Sequence, residues 1–271
     1  MKVPKSHPRY ASLITRDKIV KGVRLGITSL HGLVAQGRGE AFDYLLGERT
    51  TEYANNAEKV AAALLLTAEQ PVISVNGNAA ALCGKEIVRL WKTLFEIRKK
   101  NEGYGIAERA RIEVNLFHRS EQRVKKIISY LKKGYKGKLP VEILGARPNR
   151  RIPGLEHARA LTSDEGVYGA DVVLVPLEDG DRAEKLVEMG KKVIAIDLNP
   201  LSRTSRKATI TIVDNIIRAI PRIESYMREL SGKSKDELTK MASEFDNSLN
   251  LENSMKEIMK NLEKNKEEIK N

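Results

Sequence analysis

Asp171-Val-Val-Leu-Val175 is followed by a helical run from Arg182 to Gly190 and then by Lys192-Val-Ile-Ala-Ile196. Four consecutive apolar residues, Val172 to Val175, fit a strand covered on both faces, as strands of parallel sheets are. Gly190 suits a helix end, where a left-handed residue is favoured. Strand, helix and strand in succession read as a right-handed crossover between parallel neighbours.

The same alternation extends outward in both directions. Val72-Ile-Ser-Val75, Ile112-Glu-Val-Asn-Leu-Phe117, Val141-Glu-Ile-Leu144 and Ile210-Thr-Ile-Val213 read as further strands, giving about six in all. Helices are expected from roughly Ala79 to Lys100, from Ser120 to Lys133 with Ser120 as N-cap, and from Asn215 onward. The N-terminal third reads as helical: His7 to Gly22, a loop holding Gly37 and Gly39, a short helix Glu40 to Leu46, and a strong Ala- and Leu-rich helix Asn56 to Glu69. The fold class is therefore α/β: a Rossmann-like, mostly parallel sheet with a helical N-terminal segment and a helical C-terminal tail. Residues 1–231 form one domain in this reading. In the tail, 232–271, Leu251, Met255, Ile258, Leu262 and Ile269 make an amphipathic stripe suited to packing on the body or on a second subunit.

Composition narrows the function classes. The 271 residues are 41% hydrophobic and 31% charged, as in globular proteins. No apolar run approaches the roughly 20 residues of a membrane helix, and the N-terminus shows no secretory signal, so a cytoplasmic location and no membrane partner are expected. The single cysteine, Cys83, sits in an apolar helical pattern and reads as a buried structural thiol. The net charge of +12 lies in the body, because the tail carries 8 Lys against 9 Asp and Glu. Such a charge suits either an ion-paired surface or attraction for phosphates. Nucleic acid is the weaker partner: only 5% of residues are aromatic and the basic residues are dispersed.

In open parallel sheets, ligands bind beyond the carboxyl ends of the strands, so the strand-following segments carry the functional reading. Asn76-Gly77-Asn78 follows a strand and opens a helix, an arrangement suited to a phosphate. Pro176-Leu-Glu-Asp-Gly-Asp-Arg182 brings three acids that suit either Mg²⁺ or an ordinary turn with Asp181 as cap. Asp197-Leu-Asn-Pro-Leu-Ser-Arg-Thr204 places an acid where ribose or adenine is read, with Arg203 able to reach a phosphate. Asp214-Asn215 opens another helix, and Arg38 between two glycines reads as an anion-binding loop residue. Neither a G-x-G-x-x-G nor a G-x-x-x-x-G-K-[ST] motif is present, which argues against standard NAD and P-loop sites. His7, His31, His118 and His157 lack metal-ligand spacing, so no metal site is expected from them. His157 beside Glu156 reads as a structural pair.

Several blocks carry a family resemblance: Lys5-Ser-His-Pro-Arg-Tyr10, Gly37-Arg-Gly-Glu-Ala-Phe-Asp-Tyr-Leu45, Val75-Asn-Gly-Asn78, Arg151-Ile-Pro-Gly-Leu-Glu-His157, Val175 to Arg182, Ile196 to Arg203 and Ile212-Val-Asp-Asn-Ile216. In these the chain resembles the archaeal 4-phosphopantoate–β-alanine ligases, or phosphopantothenate synthetases, from about Lys5 to Arg228. The resemblance implies condensation of 4-phosphopantoate with β-alanine, using ATP and Mg²⁺ and releasing AMP and pyrophosphate through an acyl-adenylate, on the route to coenzyme A. It also implies a homodimer. Carried over, its ATP contacts fall on Arg16, Arg38, Asp197, Leu198, Asn199, Arg203, Thr204, Asn215 and Ile216. No catalytic acid or base is assigned. Asn76, Gly77 and Asn78 are expected at the phosphopantoate end. The chain departs from the family at Gln36, where a histidine is common, and in a longer stretch around Lys92 to Ala110. The competing expectations are an NAD-linked oxidoreductase on the same fold and a basic nucleic-acid-binding protein.

Overall fold

The computed structural model describes residues 3–270 apart from 5 and 8, with only the backbone described at 269 and 270. Its strands are β1 (Pro71–Val75), β2 (Arg111–Val114), β3 (Arg150–Arg151), β4 (Leu161–Thr162), β5 (Val172–Pro176), β6 (Lys192–Ile196) and β7 (Ile210–Ile212). Five of them form one sheet in the order β2-β1-β5-β6-β7, every pair parallel. The two shortest, β3 and β4, pair antiparallel as a separate ribbon. The helices are α1 (Tyr10–Arg24), α2 (Leu30–Leu45), α3 (Glu52–Thr67), α4 (Gly77–Lys100), α5 (Glu121–Lys132), α6 (Gly180–Glu188), α7 (Arg203–Lys207), α8 (Ile216–Leu230), α9 (Lys235–Ser243) and α10 (Asn247–Lys270).

Register explains why the strands are apolar throughout. Ile112, Ile73, Leu174, Ile194 and Ile210 pair in a row across the sheet and pack into one buried core with residues of α3, α4, α5 and α8. The alternate residues Val72, Val173 and Val193 face a second core with Ala183 and Leu186 of α6 and with Ile152 and Val167. Both faces are covered, so both sets of side chains must be hydrophobic. Strand order reverses between β1 and β5: the chain steps from β1 outward to β2 on one side and from β5 outward to β6 and β7 on the other, and this switch point is where such sheets bind ligands.

Three expectations need correction. Val141 to Leu144 is not a strand: Leu144 makes a single bridge to Glu113, and Gly145, at φ 112°, then turns the chain away. The strand expected from Ile112 to Phe117 ends at Val114, because Asn115 turns its side chain to Ser74 and to the Leu161 carbonyl. Gly37-Arg38-Gly39 is not a loop but lies inside the 16-residue helix α2, which absorbs the short helix expected from Glu40. The tail forms two helices. In α10, Leu251 is buried and packs with Leu46, Leu198 and Val213, whereas Leu262 is exposed; the side chain of Ile269 lies outside the described residues. The stretch around Lys92 to Ala110 ends α4 and adds two short turns; buried Arg98 donates to the Ile106 carbonyl between them (3.2 and 3.3 Å) and to the carbonyls of Ala68 (2.6 Å) and Glu69 (3.0 Å) after α3. No described helix is long and apolar enough to cross a membrane.

Candidate active site

A cleft of about 320 Å³ lies over the carboxyl ends of the strands. Its floor begins at the switch point. Asn76, directly after β1, caps α4 by accepting from the Ala79 amide (2.9 Å) and donates to the carbonyls of Pro176 (2.9 Å) and Leu177 (3.0 Å). It thus ties the end of β1 to the end of β5. At Gly77 a Cβ would fall 2.5 Å from the Ile27 carbonyl oxygen, so only glycine lets the segment between α1 and α2 pass here. Asn78 accepts from the Thr28 hydroxyl and donates to the Gly32 carbonyl (2.9 Å). The two asparagine side chains are therefore committed to holding the site together.

Helix α2 roofs the cleft. Gly32 lies against Asn78, Gly39 against Leu198 after β6, and Asp43 accepts from Asn215 after β7 (2.8 Å). The seven residues from Gly32 to Gly39 rise about 10 Å, close to two strand spacings, so the helix crosses the strand ends from β1 to β6. Gly32 allows the close approach at the β1 end, where a Cβ would fall 2.3 Å from the Asn78 Oδ1. Arg38 enters the cleft from this roof. Burial raises the Asp197 carboxyl above its usual range, offset only in part by the hydrogen bonds from Ser202 and the Asn199 amide and by the charge of Arg38.

The residues read from the sequence divide into two groups. Arg38, Asn76, Gly77, Asn78, Leu198, Asn215 and Ile216 line the one cleft. Asp197 and Asn199 instead fold their own loop: Asp197 accepts from Ser202 (2.6 Å) and the Asn199 amide (3.0 Å), and Asn199 accepts from the Leu201 amide (2.9 Å). That loop presents Leu198 to the cleft. Thr204 is buried and donates to the Glu178 carbonyl (2.9 Å). Arg203 is exposed and paired with Asp181 and Glu184, so Asp181 holds an arginine rather than a helix end. Arg16 lies on the far side of α2, in a groove with Ile19, Leu33 and Tyr44, where it pairs with Glu40 (2.6 and 2.8 Å). This pairing holds the Glu40 carboxyl below its usual range. Gln36 touches both the groove and the cleft.

The acidic turn after β5 is saturated. Glu178 is buried and pairs with Arg159 (2.9 Å) and Arg182; burial pushes its carboxyl up, but the two guanidiniums outweigh that and hold it low. Asp179 pairs with Arg159. Among the described residues no three His, Cys, Asp or Glu side chains are placed to hold a metal ion. Cys83 lies at a kink in α4, and burial pushes its thiol up to about 12, so it is no nucleophile.

Sequence reasoning missed one wall of the cleft: His31, Phe117, His118, Arg123 and Arg159. Phe117 and His118 were legible in principle. Extending β2 by three residues hid Phe117 inside a strand and left His118 as the residue just beyond it, whereas both lie in the segment that follows its end. His31 and His118 stack with ring centroids 4.9 Å apart, and Phe117 packs on His157 at 4.9 Å. Arg159 comes from a short turn after the β3 segment and left no local signal.

Known proteins place this arrangement. Residues 53–261 match the family model described as phosphopantothenate/pantothenate synthetase. Among the relatives is a protein of Thermococcus kodakarensis named 4-phosphopantoate–β-alanine ligase, 54% identical over 90% of this chain and 87% of its own. A second, from Methanosarcina mazei and with the same name, is 52% identical over 96% of this chain and 95% of its own. A third, from Thermococcus onnurineus, is 51% identical over 97% and 95%. With the family model covering most of its length and such relatives covering nearly all of it, the chain belongs to the phosphopantothenate/pantothenate synthetase family.

Proposed function

We propose that this protein is an ATP-dependent ligase that joins 4-phosphopantoate to β-alanine, giving 4′-phosphopantothenate, AMP and pyrophosphate. The observation that carries this reading is the likeness above 50% identity, along nearly the whole chain, to relatives named for that ligation. The cleft supports it physically. A carboxylate is a poor acyl donor and must be activated. Attack of the pantoate carboxylate on the α-phosphorus of ATP makes an acyl-adenylate and expels pyrophosphate. The β-alanine nitrogen then attacks the acyl carbon and AMP leaves.

The first step brings anions together, so the protein's part is to supply cations, N–H donors and fixed geometry rather than a nucleophile. Arg38 serves the ATP phosphates from the roof. Leu198 and Ile216 give the adenosine apolar contact, and Asn215 reads its polar groups beside the Asp197–Asn199 turn. Arg203 and Thr204 back that turn, and Arg16 reaches ATP from across α2 by giving up Glu40. Asn76, Gly77 and Asn78 shape the phosphopantoate end through their backbone. Because the carboxylates after β5 are taken by arginines, Mg²⁺ in this reading travels with the ATP, ligated mainly by phosphate and water oxygens.

The protein acts as a homodimer in this reading. Leu30 and Val34 on α2, 68% and 65% exposed, give the apolar surface that supports it. Light scattering is expected to give twice the chain mass of 30.3 kDa; a single-chain mass would contradict the dimer. For the chemistry, labelled pyrophosphate should exchange into ATP when 4-phosphopantoate is present and β-alanine absent. Exchange that needs β-alanine, or none at all, would sink the adenylate route.

A further inference from the structure

The β6–β7 end of the cleft is held together by an arginine that does not line it. We propose that Arg218 is a positioning residue for the nucleotide: by bridging Asp43 in the roof to Asp214 in the floor, it fixes the side-chain amide of Asn215 and the seat of Arg38 over the strand ends. This rests on the ligase reading above and gives its nucleotide end a support from outside the cleft.

Arg218 stands on the first turn of α8. Its Nε donates to Asp214 Oδ1 (2.8 Å), its Nη1 donates to Asp43 Oδ2 (3.2 Å), and its Nη2 pairs with both carboxylates. Asp43 and Asp214 are buried, and among the described residues no other basic side chain pairs with either. A planar guanidinium can serve two carboxylates in fixed directions, which an ammonium cannot. Asp43 belongs to α2 and Asp214 follows β7, so the bridge ties the roof to the floor.

Both carboxylates converge on Asn215, which lines the cleft. Asp214 accepts from its backbone amide (2.7 Å), Asp43 accepts from its Nδ2 (2.8 Å), and its Oδ1 accepts from the Ile217 amide (3.2 Å). These partners decide which end of the side-chain amide is which, because reversing it would set oxygen against carboxylate and N–H against N–H. One N–H and one lone pair of Asn215 remain for a ligand, in a direction that Arg218 dictates through Asp43. Arg38 precedes Asp43 by five residues on α2, about 7.5 Å along the axis, so the same bridge governs where its charge lies. Without Arg218 the two buried carboxylates would repel each other, and the end of α2 would move off the strand ends to part them.

The test measures the KM of each substrate in Arg218→Ala, in Asp43→Asn and in the double variant. In Arg218→Ala the KM for ATP should rise about tenfold to a hundredfold, with those for 4-phosphopantoate and β-alanine within about twofold. Asp43→Asn keeps an amide oxygen for Asn215 Nδ2, so adding it to Arg218→Ala removes the repulsion and should lower the KM for ATP again by about threefold or more. Mere loosening of the fold would raise all three values together, and a second lost contact would restore none of them. Arg218→Lys, which keeps the charge without the fork, should fall between the wild type and Arg218→Ala. If Arg218→Ala does not fold, Arg218→Lys and Asp43→Asn carry the test, each raising the KM for ATP alone by about threefold to tenfold. An unchanged KM for ATP, equal rises for all three substrates, or a double variant no better than Arg218→Ala would overturn the positioning role while the ligase reading stands. A wild-type enzyme that makes no AMP from the three substrates would overturn the ligase reading and the positioning role with it.

Discussion

At the β6–β7 end of the cleft the carboxylates are bound into the fold. Asp43 accepts from Asn215 and Arg218, Asp214 accepts from Thr50 (2.7 Å) and Arg218 (2.6 Å), and Asp197 closes its own turn. Deeper still, Glu58 pairs with Arg222 (2.8 Å). At the β2 end the wall is aromatic rings and arginine, and Asp179 is the one carboxylate among the described lining residues. The first end is preorganised by hydrogen bonds and ion pairs made within the fold. The second leaves positive charge for a ligand to balance. One sheet edge thus offers a rigid seat and an unsatisfied one, which is what two unlike anionic substrates require.

The largest effect is expected where the ends meet, beneath the switch point. Glu178→Ala leaves the buried guanidiniums of Arg159 and Arg182 without their shared carboxylate, and should cost about 3–5 kcal/mol in urea unfolding. A loss below about 1 kcal/mol would mean the cluster is hydrated and the turn after β5 is soft. Next comes Arg38→Ala, expected to slow AMP formation about a hundredfold with the melting temperature nearly unchanged. Unaltered activity would remove Arg38 from the nucleotide end and dissolve the contrast between the two ends.

Gly77→Ala is expected to destabilise by about 1–3 kcal/mol, because its Cβ meets backbone at Ile27 and Thr28 rather than a side chain able to move. Wild-type stability in that variant would show that the α1–α2 segment does not press on the floor. The smallest effect concerns Glu58. Burial, then repulsion by Asp214, pushes its carboxyl up to about 8 from 4.5, against the pull of Arg222. Because the folded value is the higher one, its stabilising contribution is complete below 4.5 and is lost as pH rises through about 8. Glu58→Gln should flatten the fall in melting temperature over that window. An unchanged slope would mean that Glu58 is already ionised at neutral pH.

Sequence alone carried much of the sheet and little of the roof. Val172 to Val175 and Lys192 to Ile196 were legible because burial on both faces forces unbroken apolar runs. Gly37 and Gly39 were misread because glycine breaks isolated helices, yet here both lie inside α2, whose tight glycine contact is instead Gly32 against Asn78 and Thr28. The strand-end rule found Asn76 and Asn215. It did not reveal that Asn76 and Asn78 spend their side chains on the fold, since that depends on partners far away in sequence. Arg123 and Arg159 look like any surface arginine until β2 and the β3–β4 ribbon bring them to one wall.

The most direct test mixes the protein with Mg-ATP, 4-phosphopantoate and β-alanine and follows the nucleotide products by chromatography. The account predicts AMP and pyrophosphate in equal amounts with 4′-phosphopantothenate, and no sustained AMP formation without β-alanine. ADP with inorganic phosphate, or steady AMP release independent of β-alanine, would contradict it.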